Sequence, residues 1–536
     1  MKWPKISCVL ILAATIAALA LRLPQLDRRP MHGDEAVHAV KFGSLLEEGY
    51  YRYDPHEYHG PTLNYLTLIP AWLSSARKLT DLSESTLRIV PVSFGVLLVL
   101  LLLPMAGGLG RPIAVVAALL TAISPAMVFY SRYYIQEVLL VCFTFGAIIS
   151  GYRYTQSKNI KWAIFAGISL GLMHATKETS VIAFGSMLLA LLLTLIMRRR
   201  QGGSVLMAVK AIDPWHGIAA VAAAGMVSAL FYSSFFTNAG GIVDSVYTWK
   251  TYLNRAAQSE WHLHPWYYYL KMLIYSRYDA GPAWSEALII VLAGIGFYIA
   301  MRGRSMAESN VHLLRFIAFY ALIMTGLYSI IPYKTPWNLL GFLHGLILLA
   351  GVGAVALVRY RPNVLARVLI SLLLVTGGGH LAWQACLASY RYYADPANPY
   401  VYAHSSTDVV DIARRVEEIA RCHPDGYNLA VEVICPGDDY WPLPWYLRSF
   451  PNAGWWNMVD DDVPAAPIII ASPSVEKALV RKLYELPAPG EINLYVPLFS
   501  TYMELRPQVE LRGYVVKDLW DRFQQYQAQS GQSPTR

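Results

Sequence analysis

Residues 6–39 read "ISCVLILAATIAALALRLPQLDRRPMHGDEAVHA". The run 6–23 is apolar and long enough to cross about 30 Å of hydrocarbon as a helix. Shortly after it come two adjacent carboxylates, Asp34 and Glu35, with His32 and His38 on either side. The stretch therefore predicts a membrane-embedded fold that places a polar cluster where its first span leaves the bilayer.

The rest of the chain repeats the same kind of apolar run. Of its 536 residues, 55% are hydrophobic and only 15% are charged, which excludes an ordinary soluble enzyme. We predict a polytopic α-helical membrane protein with about eleven transmembrane helices. The predicted spans are 6–23, 88–106, 112–130, 135–152, 161–175, 179–197, 215–236, 285–301, 312–331, 337–358 and 364–386.

Lysine and arginine in the short loops give the orientation. They gather in the segments 2–5, 111, 153–161, 198–210, 302–304 and 359–361, all on one side of this topology. The positive-inside rule makes that side cytoplasmic. We expect a multi-pass protein of the bacterial inner membrane or archaeal plasma membrane, with its N terminus inside. The net charge of +8 is mostly a topology signal, and no basic stripe predicts a nucleic-acid partner.

The chain divides into three predicted parts. The transmembrane domain 1–386 contains two large outer loops, 24–87 and 237–284. The segment 387–520 alternates helix-like stretches such as "TDVVDIARRVEEIA" with strand-like stretches such as "YNLAVEVI", which predicts a small extracytoplasmic α/β domain. The polar tail 521–536 predicts disorder. Cys422 and Cys435 lie in the exported part, where both a disulfide and two free thiols are allowed.

The first outer loop opens with a helix-like stretch, "GDEAVHAVKFGSLLEEGY" (33–50). On one interpretation, Asp34 and Glu35 only begin this juxtamembrane helix, with Asp34 as its cap, and their charges complement its dipole. On the other, Asp34 faces a pocket for lipid-linked substrates, together with His38 four residues on along the same face. The next segment adds further acids and histidines, namely Asp54, His56, Glu57 and His59.

Several motifs in order resemble the C-class membrane glycosyltransferases, in particular protein O-mannosyltransferases and lipid A aminoarabinose transferases. "GDEAVHA" resembles their Asp-Glu pair in the first outer loop, and His59–Gly60–Pro61 resembles their His-Pro-Pro with the middle proline missing. "LRIVPVSFG" (87–95) resembles the arginine-led start of their second span. "SPAMVFYSRYYIQEVLLVCF" (124–143) resembles their second acidic motif, and "GLMHATKETS" (171–180) their Gly-Leu…Lys motif.

Three later segments are similar to an uncharacterised prokaryotic subfamily, whose archaeal relatives are called flippase activity-associated proteins. These segments are "YKTPWN" (333–338), "NPYVYAHSSTDV" (398–409) and "DYWPLPWYLR" (439–448). The resemblance implies a bundle of the C class. It also implies sugar transfer from a polyprenyl phosphate to an outer glycan, lipid or protein acceptor, by inverting single displacement.

The chemistry of such a transfer needs residues that the chain offers. A positioned carboxylate must take the proton of the acceptor hydroxyl, and Asp34 is the candidate base, supported by Glu35 and Glu137. Fixed cations must stabilise the leaving phosphate. The candidates at predicted outer span ends are Arg88, Arg132, Lys177 and Lys334, and the candidate substrate-lining residues are His38, His59, Tyr333 and Trp337.

Each assignment has an alternative from the same residues. Arg88 and Lys334 can snorkel to the interface, Lys177 can belong to a simple turn, and Glu137 can form a local ion pair with Arg132. No cofactor motif occurs, although His262 and His264 in the second outer loop could join His59, or alternatively His56 or Glu57, in binding a divalent metal. The aromatic stretch 437–456 suits either an acceptor glycan or packing onto the membrane face.

Two other functions compete with the transferase hypothesis. A non-catalytic flippase or transport component is one, although no internal repeat of the kind common in transporters is visible. A biogenesis scaffold is the other, and it predicts that Asp34 is dispensable. The sugar, the acceptor and the oligomeric state leave no trace in the sequence.

Overall fold

A computed structural model describes residues 3–530, except for 57–58, 205–206, 208–209, 259–261, 279, 304–307, 360–362 and 489–491. The described chain forms two compact units. The bundle unit comprises Met1–Leu26, Glu48–Ser75 and Ser83–Tyr402. The C-terminal unit comprises Asp27–Glu47, Ala76–Leu82 and Ala403–Arg536. The helix that follows the first span thus belongs to the same unit as the C-terminal part of the chain.

Within the described residues, the α-helices in chain order are α1 (Trp3–Arg22), α2 (Gly33–Glu48), α3 (Thr62–Leu73), α4 (Glu84–Leu100), α5 (Leu102–Leu109), α6 (Arg111–Ile123), α7 (Pro125–Tyr130), α8 (Glu137–Ser157), α9 (Ile160–His174), α10 (Ser180–Arg200), α11 (Pro214–Tyr232), α12 (Gly240–Gln258), α13 (Tyr268–Ile274), α14 (Ala287–Arg302), α15 (Val311–Ile330), α16 (Leu340–Arg359), α17 (Val364–Cys386), α18 (Asp408–Ala420), α19 (Leu443–Tyr446), α20 (Glu476–Val480) and α21 (Lys517–Ser530).

The apolar helices fall where the sequence placed the spans. Eight helical stretches in the described residues are long and apolar enough to cross a membrane. They are Lys5–Arg22, Glu84–Leu109, Glu137–Ser157, Ser180–Arg200, Pro214–Tyr232, Val311–Ile330, Pro336–Arg359 and Val364–Arg391. Three shorter apolar helices, α6, α9 and α14, occupy the other predicted positions. The polytopic helical fold is confirmed, and the total of about eleven spans stays a prediction.

One predicted span is interrupted. The sequence placed a continuous span over 112–130, but α6 ends at Ile123 and α7 begins at Pro125. Pro125 has no N–H to continue the helix, and the Ser124 side chain accepts a hydrogen bond from the Met127 N–H, which caps the new helix. The predicted segment is therefore not one continuous helix, because a proline and a capping serine interrupt it.

Several spans begin at a side-chain cap. Ser83, Asn159, Asp213, Asn310 and Asn363 each accept a hydrogen bond from a backbone N–H in the first turn of the following helix. Short polar side chains of this kind satisfy N–H groups that have no intrahelical partner. The capping residues thus fix where each helix starts after a polar loop.

Glycines allow two helices of the bundle to cross closely. A Cβ atom on Gly296 of α14 would overlap the carbonyl oxygen of Leu349 in α16. A Cβ atom on Gly353 of α16 would likewise overlap the carbonyl oxygen of Leu292. Small residues at such crossings bring backbones together, which is how helices associate in a bilayer without a hydrophobic driving force.

The C-terminal unit contains a five-stranded sheet in the order β2-β1-β3-β7-β4. The strands are β1 (Val431–Ile434), β2 (Ala453–Trp456), β3 (Ile468–Ala471), β4 (Tyr495–Pro497), β5 (Glu504–Arg506), β6 (Val509–Glu510) and β7 (Arg512–Val516). β1 pairs in parallel with β2 and β3, β7 runs antiparallel to β3 and β4, and β5–β6 form a separate two-stranded sheet. The predicted α/β character of this region is confirmed.

Alternate residues of the strands supply two hydrophobic layers. Val431 and Val433 pack in one cluster with residues of α18 and α21, whereas Ile434 packs in another with Leu479 of α20. Trp445 from the aromatic stretch 437–456 is fully buried in the unit. The sheet is therefore covered by helices on both faces, as expected for short hydrophobic strands.

The structure answers two questions about this unit: whether the tail is ordered, and whether Cys422 and Cys435 form a disulfide. The tail was predicted to be disordered from residue 521, but α21 runs to Ser530 and buries Phe523, so the prediction is wrong for 521–530. Residues 531–536 lie outside the described residues. Cys422 and Cys435 are separate thiols in the structure.

Candidate active site

Two motifs of the bundle unit pack directly against each other. The Thr62 N–H donates to the carbonyl oxygen of Ala175 at 3.2 Å, and the Thr62 and Thr176 hydroxyls lie 2.8 Å apart. A Cβ atom on Gly60 would overlap the same carbonyl of Ala175. This contact explains why a glycine stands in the middle of His59–Gly60–Pro61, because only a residue without a side chain allows the backbone so close.

The contact creates a buried cluster around Glu178. His59 Nδ1 lies 2.8 Å from Glu178 Oε2, and the Tyr53 hydroxyl lies 3.4 Å from Glu178 Oε1 and 2.9 Å from Thr248 Oγ1. Burial raises the pKa of Tyr53, and the nearby Glu178 carboxylate raises it further, so the hydroxyl stays protonated and donates. Glu178, which the sequence analysis did not single out, is buried.

Glu137 and Lys177 form a buried ion pair. Glu137 is the first residue of α8, and Lys177 lies in the turn between α9 and α10. The Lys177 Nζ donates to Glu137 Oε1, and both side chains are only 6% exposed. The alternative pairing of Glu137 with Arg132 is therefore wrong. Among the described residues, Glu137 Oε2 has no hydrogen-bond partner.

A small cavity adjoins this pair. Its volume is about 20 Å³, and its lining includes Glu137, Thr179, Tyr328, Trp337 and Asn338. A cavity of this size has space for roughly one water molecule. The cavity thus brings the predicted substrate-lining residue Trp337 close to the acid of the second motif. Tyr333 is not among the residues that line it.

Arg132 is held by the end of the first span. Its Nη1 donates to the carbonyl oxygens of Arg22 and Pro24 at 2.7 Å each, and its Nη2 donates to Gln25 at 3.0 Å. Cations are favoured at the C-terminal end of a helix, where carbonyl groups have no intrahelical partner. Arg132 therefore stabilises the turn after α1, a role that the sequence did not predict.

Two other arginines of the bundle are also buried. The Arg88 Nη1 donates to the Leu26 carbonyl oxygen at 2.6 Å, and the side chain is buried rather than snorkelling to solvent. Arg22, which the sequence analysis did not single out, donates to the carbonyls of Thr121 and Ala122 at 3.0 and 2.9 Å. Both arginines hydrogen-bond carbonyl groups at the end of a helix or in the turn that follows it.

Lys334 lies beside the two histidines of the second outer loop. Its Nζ donates to the carbonyl oxygens of His264, at 3.2 Å, and Ile331. The Tyr402 hydroxyl lies 2.6 Å from His262 Nδ1 and 3.0 Å from His264 Nε2. Burial lowers the pKa of Lys334, and it also lowers the pKa of His264, to which nearby His262 and Lys334 contribute further. An uncharged His264 imidazole thus suits this cluster.

The predicted metal ligands are not brought together. His59 pairs with Glu178, whereas His262 and His264 share Tyr402. In the part of the chain that the structure describes, no three His, Cys, Asp or Glu side chains form a group that could hold a metal ion. Glu57, another candidate from the first outer loop, lies outside the described residues. Tyr333 packs its ring against His262 with centroids 5.3 Å apart, so it belongs to the Tyr402 cluster.

The Asp-Glu pair lies at the start of α2 in the C-terminal unit, and its two carboxylates differ sharply. Glu35 is fully buried, accepts from Arg29 Nη2 at 3.0 and 3.1 Å, and accepts the His32 backbone N–H at 3.0 Å. The Asp34 side chain is 52% exposed, and its own N–H donates to His32 Nδ1 at 3.0 Å. His38 is buried within the same unit.

The predicted cap of this helix is therefore the wrong residue. Glu35, three positions after His32, closes the helix start by accepting the His32 N–H, as the acid of a capping box does. Asp34 keeps an exposed carboxylate instead. The predicted helix itself is confirmed, and it ends at Glu48 before Gly49, whose φ of +67° suits a glycine.

The chain has an apolar helical bundle, an Asp-Glu helix after the first span and a buried acid–lysine pair at the following motifs. These features are expected of the fold of the C-class membrane glycosyltransferases. A family model described as dolichyl-phosphate-mannose-protein mannosyltransferase matches residues 67–212. None of the curated proteins compared with the chain matches its sequence.

Two solved structures share the fold. ArnT from Cupriavidus metallidurans, bound to undecaprenyl phosphate, is 14% identical with a TM-score of 0.63, and the match covers 95% of this chain and 98% of that one. The oligosaccharyltransferase of Archaeoglobus fulgidus, tethered with an acceptor peptide, is 13% identical with a TM-score of 0.53 over 84% of this chain. This chain spans 63% of that protein's length. The resemblance that the motifs indicated is thus confirmed for the fold.

Proposed function

We propose that the chain transfers a sugar from a polyprenyl-phosphate donor to an acceptor on the outer side of the membrane. Its apolar helices and its fold indicate an integral membrane glycosyltransferase of the C class. The finer assignments below are proposals. The protein lies in the plasma membrane, its N terminus is cytoplasmic, and its C-terminal unit is extracytoplasmic, as the loop charges predict.

The observation that carries the proposal is the difference in burial and hydrogen bonding between the two carboxylates of the Asp-Glu pair. Glu35 is buried, and its carboxylate is occupied by Arg29 and the His32 N–H, so it builds the helix start. Asp34 is the half-exposed carboxylate that the fold leaves accessible at the same place. A general base must reach the hydroxyl proton that it removes, and Asp34 meets that requirement whereas Glu35 does not.

Asp34 then takes the proton of an acceptor hydroxyl as the oxygen attacks the anomeric carbon of the donor. The bond from that carbon to the lipid phosphate breaks in the same step, so the configuration inverts. The acceptor is an extracytoplasmic glycan, lipid or protein. The leaving polyprenyl phosphate gains charge, which fixed cations stabilise best in a low-dielectric site.

Lys177 is the cation that we propose for the donor phosphate. Arg88, Arg132 and Lys334, the other predicted cations, each donate to main-chain carbonyl groups. Lys177 is paired with Glu137, which lines a small cavity, and we expect an incoming phosphate to compete with this carboxylate for the ammonium group. Glu137 then positions Lys177 rather than acting as an acid.

The test uses purified protein in lipid nanodiscs. Wild type and Asp34→Asn are incubated with radiolabelled undecaprenyl-phosphate mannose, glucose and arabinose and a membrane-extract acceptor pool. Glu48→Gln is the matched control, because it removes an exposed carboxylate at the other end of α2. We expect label transfer in wild type and Glu48→Gln, and a loss of at least 10³-fold in Asp34→Asn with unchanged melting temperature.

Two outcomes would overturn the proposal. Equal turnover in wild type and Asp34→Asn would remove Asp34 from the mechanism. Absence of turnover with every donor, together with protein-dependent movement of lipid-linked sugar across the bilayer, would favour the flippase function instead.

A further inference from the structure

The segment that carries Asp34 is held by residues far away in the sequence. Within the C-terminal unit, the Met31 N–H donates to the Tyr446 hydroxyl at 2.8 Å, and the Met31 carbonyl accepts from the Ser405 hydroxyl at 2.7 Å. The His404 ring stacks on the His32 ring with centroids 5.9 Å apart and planes inclined by 19°. We call His404, Ser405 and Tyr446 the clasp.

The clasp residues come from two motifs whose presence the transfer chemistry does not explain. His404 and Ser405 belong to "NPYVYAHSSTDV", and Tyr446 belongs to "DYWPLPWYLR". The Tyr446 hydroxyl accepts from the main-chain N–H of Met31, and the Ser405 hydroxyl donates to the main-chain carbonyl of Met31. Such a pair of bonds fixes the peptide planes on both sides of Met31 without depending on its side chain.

The path from the clasp to Asp34 runs through His32. The His32 N–H is bonded to Glu35 Oε2, and His32 Nδ1 accepts the Asp34 N–H. Stacking on His404 then sets the plane of the ring whose Nδ1 holds the Asp34 backbone.

The remainder of α2 is anchored independently of the clasp. Ala39, Phe42 and Leu45 are buried, and Gly43 faces the Leu79 side chain. Loss of a single clasp hydrogen bond should therefore loosen the first turn of the helix while leaving its later turns in place. This separation makes a local effect on Asp34 distinguishable from unfolding.

We propose that His404, Ser405 and Tyr446 are positioning residues for Asp34. They fix the main chain at Met31 and the ring of His32, and through these they orient the exposed carboxylate at the start of α2. The inference rests on the proposed function, in which Asp34 is the base. A base that is misplaced by about 1 Å loses roughly 10²-fold in rate, so small changes at the clasp should act strongly on kcat.

The first experiment does not need a substrate. Hydrogen–deuterium exchange of the peptide containing residues 31–36 is compared between wild type, Tyr446→Phe and Ser405→Ala in nanodiscs. Tyr440→Phe is the matched control, since it removes a hydroxyl from the same motif that lies 3.3 Å from Asp438 and not at Met31. We expect at least tenfold faster exchange in the two clasp variants and no change in the control. Unchanged exchange in both clasp variants would overturn the proposal.

The second experiment measures coupling to Asp34 in the transfer assay. Tyr446→Phe should lower kcat about tenfold with unchanged donor KM in the wild-type background. In an Asp34→Glu background, whose carboxylate is already displaced, it should lower kcat less than twofold. Equal losses in both backgrounds would show that Tyr446 does not act through Asp34. If Asp34→Glu has no measurable activity, the turnover of Ser405→Thr is compared with that of Ser405→Ala. Ser405→Thr keeps the hydroxyl and should retain turnover that Ser405→Ala loses. Equal rates in these two variants would overturn the proposal.

The two experiments separate failure of this inference from failure of the proposed function. Turnover that survives Asp34→Asn removes the base itself, whatever the exchange data show. Turnover that requires Asp34 but is indifferent to the clasp refutes only the positioning role.

Discussion

Removal of Lys177 should destabilise the bundle unit strongly. Lys177 and Glu137 are each only 6% exposed, and among the described residues Lys177 Nζ is the hydrogen-bond partner of the Glu137 carboxylate. Lys177→Met therefore leaves a buried carboxylate without a countercharge. Breaking a buried ion pair from one side costs about 3–5 kcal/mol. Each 1.4 kcal/mol is a factor of ten, so the ratio of folded to unfolded protein should fall by about 10² to 10⁴.

The double variant Glu137→Met/Lys177→Met tests the cause of this loss. Replacement of both charges by apolar side chains of similar size is often neutral for stability, because the cost of burying the ions disappears with them. We expect the double variant to recover most of the stability that Lys177→Met loses. Its transfer activity should stay absent, because no cation remains there for the donor phosphate.

Stability is measured by denaturation in mixed detergent micelles, with the melting temperature in nanodiscs as a second readout. Lys158→Met, which removes an exposed lysine at the end of α8, is the control and should change stability by about 0.5 kcal/mol or less. A Lys177→Met variant that is as stable as the wild type would contradict the stabilising role of the buried Glu137–Lys177 ion pair. Full activity in the double variant would refute the role of Lys177 in phosphate binding.

Three further predictions concern close packing and protonation. Gly296→Ala should destabilise the bundle by about 1–3 kcal/mol through overlap with α16, whereas Gly294→Ala on the same helix has open space and should be nearly neutral in the same denaturation assay. Gly60→Ala should lower the melting temperature and the transfer rate together, because the added methyl group separates two motifs of the candidate site. The pKa of His264 is lowered in the folded protein, so the uncharged ring contributes to stability above the ordinary histidine pKa of about 6.5. This contribution is lost as the pH falls, because the unfolded chain then binds the proton more readily. The melting temperature of His264→Gln should therefore decline less steeply than that of the wild type below about pH 6.5.

Hydropathy predicted the helical bundle well because a span needs only a long apolar run, and that information is local. The exceptions show where local information is insufficient. Ser124 and Pro125 interrupt an apolar run that is hydrophobic enough to continue as one helix. They do so because Ser124 caps the next helix and Pro125 has no N–H to donate. The glutamine-rich end of α21 looks unstructured by composition, yet Leu519 and Phe523 at helical spacing are buried against the sheet domain.

The candidate site was predictable in its residue types and not in its pairings. Asp34, Glu137 and Lys177 could be selected because charged residues beside spans are costly and need a reason. The pairings join distant positions: Lys177 and Glu137 are 40 positions apart, and Glu178 and His59 are 119 positions apart. No local pattern records such a contact. Arg29 is nearer to Glu35, but its role depends on burial, which the sequence does not display.

The composition of the C-terminal unit has a consequence for biogenesis. The helix α2 is made early, yet the residues that hold its first turn are translated from about 370 positions later. At about 5–20 residues per second, that interval is roughly 20–70 s. Throughout it, the chain carries a nascent Asp34 segment without its permanent supports. Synthesis of the last quarter of the polypeptide is therefore the event that completes the contacts of this helix, and a ribosome stalled before residue 403 leaves α2 without them.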